Sequence, residues 1–373
     1  MPRSSDRHQR GQIIVIAALA MVAFIGLVAL VLEGGNAYAQ QRVTQNTVDS
    51  AANAGAVAIA QSLSGVAKTT IDVAAAISPI VAPGPTGLDL VDARFTNVTG
   101  QLLTPLGVVT TDRALAARVG SDAIPPDTQG VSVAGRRTFG TSFARVLGID
   151  SFSSSADAIA VAGSLRGGDF LPIVFPINVT DCEVNGDLVE PGQEVNWQLS
   201  QPGKPPTGPE YIIPLCKPAG GAFQVLDLVP GMSCEEEVTS SINVEFNLPQ
   251  DVEGDPGNDC AKKIFDALQS ELPGGPYLIP ICDSGSDEGC ADGGGGGTYH
   301  IVKVASVWID YVSDKNGGKN TDCDSNPARN LYTIAGNGSS SCVAGWFVRY
   351  ISAGAVGTAP VGNSDAIGVQ LIK

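Results

Sequence analysis

Histidine, the commonest general base in enzymes, occurs at only two positions of this 373-residue chain. His8 precedes a long uncharged segment, and His300 lies in an apolar run that starts at Tyr299, where a strand residue with a hydrogen-bonded imidazole is the simpler interpretation. The sequence contains no nucleophile-elbow, phosphate-loop or HExxH motif. Paired carboxylates of the glycosidase type need no motif, but no pattern here points to them. We therefore expect a protein that is not an enzyme and needs no cofactor.

Two acidic loops each resemble a metal-binding motif, but each lacks residues that its motif requires. The loop at Asp322–Asn326 begins like a calcium-binding EF-hand, but Pro327 stands where that loop needs glycine and no glutamate follows at its twelfth position. The loop at Asp283–Asp287 resembles a D-x-S-x-S metal motif, but Gly285 replaces its first serine and Asp287 its second. We predict no dedicated metal site and leave weak calcium binding by acidic loops as an alternative.

The eight cysteines all lie in the second half of the chain. None forms the close C-x-x-C pair that a structural zinc site prefers, and the even number favours disulfides in an oxidising compartment. We expect four bridges, or three with two free thiols, with a pairing that the sequence does not determine. The candidate residues are Cys182, Cys216, Cys234, Cys260, Cys282, Cys290, Cys323 and Cys342.

The N-terminal region contains a segment suited to a lipid bilayer. Residues Gly11–Leu32 carry no charge, and a helix of this length spans the hydrocarbon layer of about 30 Å. Three arginines precede the segment and Glu33 follows it, so the positive-inside rule places residues 1–10 in the cytoplasm and the remainder outside. A cleaved signal peptide is the alternative, because Ala37–Ala39 fits a small-x-small cleavage site, but the apolar run is longer than such peptides need.

An alanine-rich helix is predicted to continue the membrane segment over residues 33–64, because no proline interrupts it. Small residues recur along it at four-residue steps and form a ridge that would let another helix approach closely. Two interpretations stay open: an interface with a partner helix, or a helix that lies on its own domain. The ridge residues are Ala51, Ala52, Gly55, Ala56 and Ala60.

These N-terminal residues resemble those of Flp pilus-assembly TadG-like proteins. The shared features are Arg10–Gln12, one apolar helix, the acidic-glycine element Glu33–Gly35, and the run Gln45–Ala56, which is similar to the family pattern LQ-x-AADAAALAGA. Residues 131–162 resemble a segment that often follows in that family. The resemblance implies an accessory protein of the tight-adherence pilus or secretion system, anchored in the bacterial cytoplasmic membrane. Type IV pilins carry glutamate at the fifth position after their cleaved glycine, where this chain has Ile16, so the major pilin is not implied.

Charge divides the chain near residues 170–180. Residues 1–180 carry 12 acidic and 12 basic side chains, whereas residues 181–373 carry 26 acidic and 10 basic ones, which gives the net charge of −16. Such acidity argues against nucleic acid as a partner. The later apolar runs are short and bounded by Gly, Pro or Asn, which is typical of strands, with one helix predicted at Cys260–Leu272.

The sequence thus predicts an α+β protein in which a transmembrane helix leads into an alanine-rich helix, a small α/β segment and a β-rich, disulfide-containing extracytoplasmic domain. Within the α/β segment we expect a βαβ unit with strands at Val131–Ala134 and Ala156–Val161 and a helix at Thr138–Leu147. The expected divisions are a cytoplasmic tail at 1–10, a transmembrane helix at 11–32, the alanine-rich helix at 33–64, the α/β region at 65–170 and the acidic β-rich domain at 171–373.

Two functions are compatible with this organisation. The first is a single-pass, non-enzymatic scaffold that contacts the lipid bilayer and other pilus-assembly membrane proteins. The alternative is a surface-displayed or secreted binding module that the N-terminal helix tethers or exports.

Overall fold

The computed structural model describes the chain in segments, and for some of their residues the backbone alone. The described ranges are 6–84, 86–176, 182–184, 187–188, 195–196, 211–218, 226–229, 231–233, 236–237, 243–254, 266–268, 274–282, 298–313, 333–334, 342–347, 350–357, 361 and 366–373.

A single long helix forms the N-terminal region. Helix α1 runs over Asp6–Leu63, 58 residues without a break, so the apolar segment and the alanine-rich segment form one helix, as the sequence predicts. Helix α2 at Thr70–Val81 was not predicted. It begins with a capping box, in which the Asp72 N–H donates to Thr69 Oγ1 at 3.3 Å and the Thr69 N–H donates to Asp72 Oδ2 at 2.7 Å.

Strands make up most of the remaining described structure. In chain order they are β1 Leu90–Thr96, β2 Leu102–Leu103, β3 Val109–Thr110, β4 Gly130–Gly140, β5 Ser151–Leu165, β6 Gly167–Asp169, β7 Phe175–Pro176, β8 Cys182–Val184, β9 Asp187–Leu188, β10 Val195–Asn196, β11 Tyr211–Pro218, β12 Asn243–Glu245, β13 Gln250–Glu253, β14 Gly274–Cys282, β15 Thr298–Ser313, β16 Thr333–Ile334, β17 Cys342–Phe347, β18 Tyr350–Ala353, β19 Val356–Gly357 and β20 Ala366–Leu371. The mixed α+β class is therefore confirmed.

The first sheet is built around a long hairpin. Its strand order is β18-β20-β5-β4-β1-β2-β3, and β19 also pairs with β5. Strands β4 and β5 pair antiparallel from Gly130 opposite Val161 to Gly140 opposite Ser151. The two predicted strands thus exist, but the predicted βαβ unit is wrong, because that unit requires parallel strands.

The helix predicted at Thr138–Leu147 is also wrong. Residues Thr138–Gly140 continue β4, and only Ala144–Leu147 form a short 3₁₀ helix at the tip of the hairpin. The sequence predicts that helix because Phe139 and Phe143 are spaced as on one helical face, but Phe139 lies at the end of β4 and Phe143 in the turn that follows it.

Helix α1 packs along one face of the first sheet through its C-terminal half. The core between them draws on α1, α2, β1, β4, β5 and β20. Its central residues include Val48, Ala52, Ile59, Val73, Ile77, Phe95, Val131, Val133, Ala158, Ala160 and Ile367. Alanine and valine dominate this list because a helix can approach a sheet closely only where the side chains between them are small.

The end of the chain belongs to the first sheet. Strand β20 pairs antiparallel with β5, with Ile367 opposite Ser164, and β18 pairs parallel with β20. The division expected at residue 170 groups these strands with the second domain, whereas in the structure they pair with β5 of the first sheet. Charge and cysteine content mark where composition changes, but they do not determine which strand a distant segment joins.

A second sheet contains most of the strands that lie between β5 and β18 in the chain. Its order is β10-β11-β17-β15-β14-β7, with β13 paired to β15. It adjoins the first sheet through a shared apolar cluster in which Leu165 and Ala366 meet Phe170, Leu278 and Val304. Of the helix predicted at Cys260–Leu272, residues 266–268 are helical and the rest lies outside the described residues.

Candidate membrane anchor and its junction with the sheet

The N-terminal half of α1 projects from the protein with its apolar side chains uncovered. From Ile14 to Leu32 the large apolar side chains are 43–72% exposed. A contiguous apolar surface of this size marks an interaction site rather than an ordinary surface. These 19 residues extend about 28 Å as a helix, close to the thickness of a bilayer core. The helix is long and apolar enough to cross a membrane, and none of its most apolar stretch is buried in the protein.

Glu33, the first charged residue after this segment, attaches the helix to the tip of the β4–β5 hairpin. Its carboxylate accepts hydrogen bonds from the backbone N–H of Ser142, at 3.1 and 3.2 Å to its two oxygens, and from that of Phe143 at 2.9 Å. The acidic-glycine element was recognised in the sequence, but its contact 109 residues away was not. An acidic residue directly after an apolar run was the available signal.

Polar side chains of the next helical turns continue the attachment along β5. Gln41 Nε2 donates to the Ser155 carbonyl at 3.1 Å, and the hydroxyl of Thr44, which is fully buried, hydrogen-bonds that of Ser154. Gln45 Nε2 reaches the Asp157 carbonyl at 3.4 Å. These bonds fix how the helix is rotated and how far it slides along the sheet.

The small-residue ridge lies under the protein's own elements. Ala51, Ala52, Ala56 and Ala60 are 0% exposed. Gly55 is also buried, and a Cβ atom there would lie 3.1 Å from Ile77 Cδ1 of α2 and 3.2 Å from Val131 Cβ of β4. The sequence left two interpretations open, and this arrangement corresponds to the second, in which the helix lies on its own domain. The ridge is occupied and does not present a free surface to a partner helix.

An ion cluster braces the sheet beside α2. Asp92 Oδ1 accepts a hydrogen bond from Arg94 Nε at 2.8 Å, and Asp92 Oδ2 accepts one from Arg113 Nε. Arg94, which is 5% exposed, also donates to the carbonyl of Ala116. Burial of Asp92 favours its neutral form, but the hydrogen bonds and charges of Arg113 and Arg94 outweigh burial and hold the pKa of the Asp92 carboxyl below its ordinary value.

A cleft of about 490 Å³ adjoins this cluster. It lies between α2 and β1 and is lined by Ala74, Ile77, Ser78, Val81, Val91, Asp92, Ala93, Arg94, Arg118 and Val119. Asp92 lines the cleft and pairs with both Arg94 and Arg113, so the cluster braces this side of the cleft.

The structure describes the side chains of two of the candidate residues in the second half of the chain, His300 and Cys282. His300 lies on β15, and its Nδ1 is 2.7 Å from Asp251 Oδ1 on the paired strand β13, which confirms a strand residue with a hydrogen-bonded imidazole. Cys282 ends β14 and is fully buried. The side chains of the other seven cysteines, and the loops at Asp283–Asp287 and Asp322–Asn326, lie outside the described residues. Within the described part of the chain, no group of three or more histidine, cysteine or acidic side chains could hold a metal ion.

The N-terminal region matches a known family. The profile of the Tad family, described as "Putative Flp pilus-assembly TadE/G-like", matches residues 11–58. The resemblance read from the N-terminal residues is confirmed over this range, which covers the exposed apolar segment, Glu33 and most of the small-residue ridge. The match ends before residues 131–162, so the resemblance of that segment stays a prediction. Comparisons with curated proteins and with solved structures found no significant match.

Proposed function

We propose that this chain is a membrane-anchored, non-enzymatic component of an Flp-type pilus-assembly or secretion system that acts as a scaffold. The observation that carries the proposal is the family match over residues 11–58. In the structure this segment joins an uncovered apolar helix to the core of a folded domain. Such a helix suits a scaffold, because it connects the attachment point rigidly to the folded domain that would bind partner proteins.

The localisation proposed is the bacterial cytoplasmic membrane, crossed once. Arg3, Arg7 and Arg10 precede the apolar segment and support a cytoplasmic N-terminus, with the sheets on the outer side. The disulfides proposed among the eight cysteines belong to that oxidising side. The buried position of Cys282 suits a bridged cysteine.

The anchor is tested by the mass of the native protein. Membranes are washed with alkaline carbonate, and the intact chain is weighed with and without reduction before thiol alkylation. Full-length chain in the pellet, alkylated only after reduction, is the expected result. A soluble species that begins at Gln40 would show cleavage after Ala39 and would favour the secreted binding module instead.

The scaffold role is tested by affinity capture from detergent-solubilised membranes of the native bacterium. The matched control is a chain in which residues 14–32 are replaced by an unrelated apolar helix of equal length, which keeps an apolar helix but removes the apolar part of the family match. We expect other pilus-assembly membrane proteins to be enriched with the native chain. The proposal would be overturned if neither chain enriched such proteins and a strain lacking the protein still made normal pili.

A further inference from the structure

The tip of the β4–β5 hairpin exposes a group of apolar side chains. Phe143 is 42% exposed, Val146 86%, Ile149 43% and Phe152 36%. Single apolar residues at a protein surface are ordinary, but four within ten residues of one hairpin indicate a surface that meets something apolar. We call Phe143, Val146, Ile149 and Phe152 the apolar tip.

The tip is held at the point where α1 leaves its apolar segment. The Glu33 carboxylate binds the backbone N–H groups of Ser142 and Phe143, and Glu33 directly follows Leu32, the last residue of the uncovered apolar segment. The strand that leads to the tip also runs toward the anchor. A Cβ at Gly55 would touch Val131, and one at Gly135 would touch Val48. As β4 advances, it therefore meets earlier and earlier residues of α1.

Continuing in this direction brings the residues beyond Ser142 level with Glu33 or closer to the anchor. If α1 crosses a bilayer up to Leu32, the apolar tip then lies at the surface of the same bilayer. The charges of the tip suit this position, because the Arg145 Nε lies 3.4 Å from Asp150 Oδ1 and the pair leaves the tip close to neutral. Apolar and aromatic side chains that border a bilayer partition into its interfacial layer.

We propose that the apolar tip is a second membrane contact, which inserts into the interfacial layer of the outer leaflet beside the anchor helix. This inference rests on the proposed membrane anchor. It adds a second point of contact, so that the first sheet is held at the bilayer surface in one orientation. Since the tip is close to neutral, the contact forms on zwitterionic lipid and does not depend on anionic headgroups.

The test places an environment-sensitive fluorescent amino acid at position 146 of the full chain, reconstituted in phosphatidylcholine vesicles that contain spin-labelled lipid. The side chain of Val146 is so exposed that its replacement leaves packing unchanged. Position 106, in the turn between β2 and β3, is the matched control, because Leu106 is 84% exposed but is not tied to the anchor. Position 22, within the apolar segment, reports whether the anchor itself is inserted.

The expected result is strong quenching at position 22, quenching at position 146 at least threefold greater than at position 106, and no further increase at 146 when anionic lipid is added. Quenching at 22 with equal, weak quenching at 146 and 106 would overturn the second contact and leave the anchor intact. A blue-shifted but unquenched probe at 146 would also overturn it, since a protein surface would then cover the tip. Absence of quenching at 22 would overturn the anchor and this inference with it.

Discussion

Replacing Gly55 by leucine tests whether the small-residue ridge belongs to the domain core. A Cβ at this position already lies 3.1–3.2 Å from atoms of Ile77 and Val131, tighter than ordinary contact, and leucine adds three more carbons in the same direction. Overpacking of this kind costs up to about 3 kcal/mol. Leucine has a higher helix propensity than glycine by roughly 0.8–1 kcal/mol, which offsets part of that cost. We expect a net loss of about 2 kcal/mol in the free energy of unfolding.

The measurement is thermal unfolding of the full chain in detergent, followed by circular dichroism. A loss of about 2 kcal/mol lowers Tm by roughly 4–8 °C for a domain of this size. Gly35→Leu is the control, because it lies in the same helix with nothing within 4 Å of its Cβ, and it should keep or slightly raise Tm. The described packing is refuted if the two variants have the same Tm. It is also refuted if Gly55→Leu keeps its Tm and only fails to co-purify partner proteins, because the ridge would then face a partner helix.

Three further predictions concern other contacts. Glu33→Gln weakens the charge-assisted hydrogen bonds from the Ser142 and Phe143 amides by about 1 kcal/mol. Hydrogen exchange at those two amides should therefore accelerate about fivefold. Unchanged exchange would show that Glu33 does not hold the tip of the hairpin. Thr69→Ala removes the cap of α2 and should cost about 1 kcal/mol in denaturant unfolding, and an unchanged midpoint would argue against the capping box. Because the folded-state pKa of Asp92 lies below its ordinary value of 3.8, the cluster stabilises the fold above that pH and the stabilisation is lost as pH falls below it. Asp92→Asn should therefore reduce the loss of stability between neutral pH and about pH 3, and identical pH profiles for the two proteins would contradict this assignment.

The features that the sequence predicted are those encoded locally. An uncharged run of bilayer length, alanines without proline, and short apolar runs between Gly and Pro residues each predict their element from neighbouring residues alone. Three apolar runs from which strands are predicted are Tyr211–Leu215, Tyr277–Ile281 and Tyr299–Val312, and each lies within an observed strand. Helix α2 was locally encoded as well, through the capping box at Thr69 and Asp72, but it contains Pro79, a residue more typical of turns, and it was not predicted.

The features that the sequence did not predict depend on distant partners. The pairing of β20 with β5 joins residues about 200 positions apart, and no local pattern selects β5 over any other edge. The contact between Glu33 and Ser142, and the cover that Ile77 and Val131 place on Gly55, arise only when helix and sheet pack together. The junction between anchor and domain therefore came from the structure, whereas its two parts were predicted separately.

The unbroken course of α1 has a mechanical consequence. Because Asp6–Leu63 forms one helix with no linker between the apolar segment and the domain core, a pull on the domain passes directly into the axis of the apolar segment. The load is resisted by shear between α1 and strands β4 and β5, along an interface of buried alanine and valine side chains and the polar contacts at Glu33, Gln41 and Thr44. Elements loaded in shear share force over many contacts at once, so in the proposed membrane anchor this attachment would resist tension along the membrane normal.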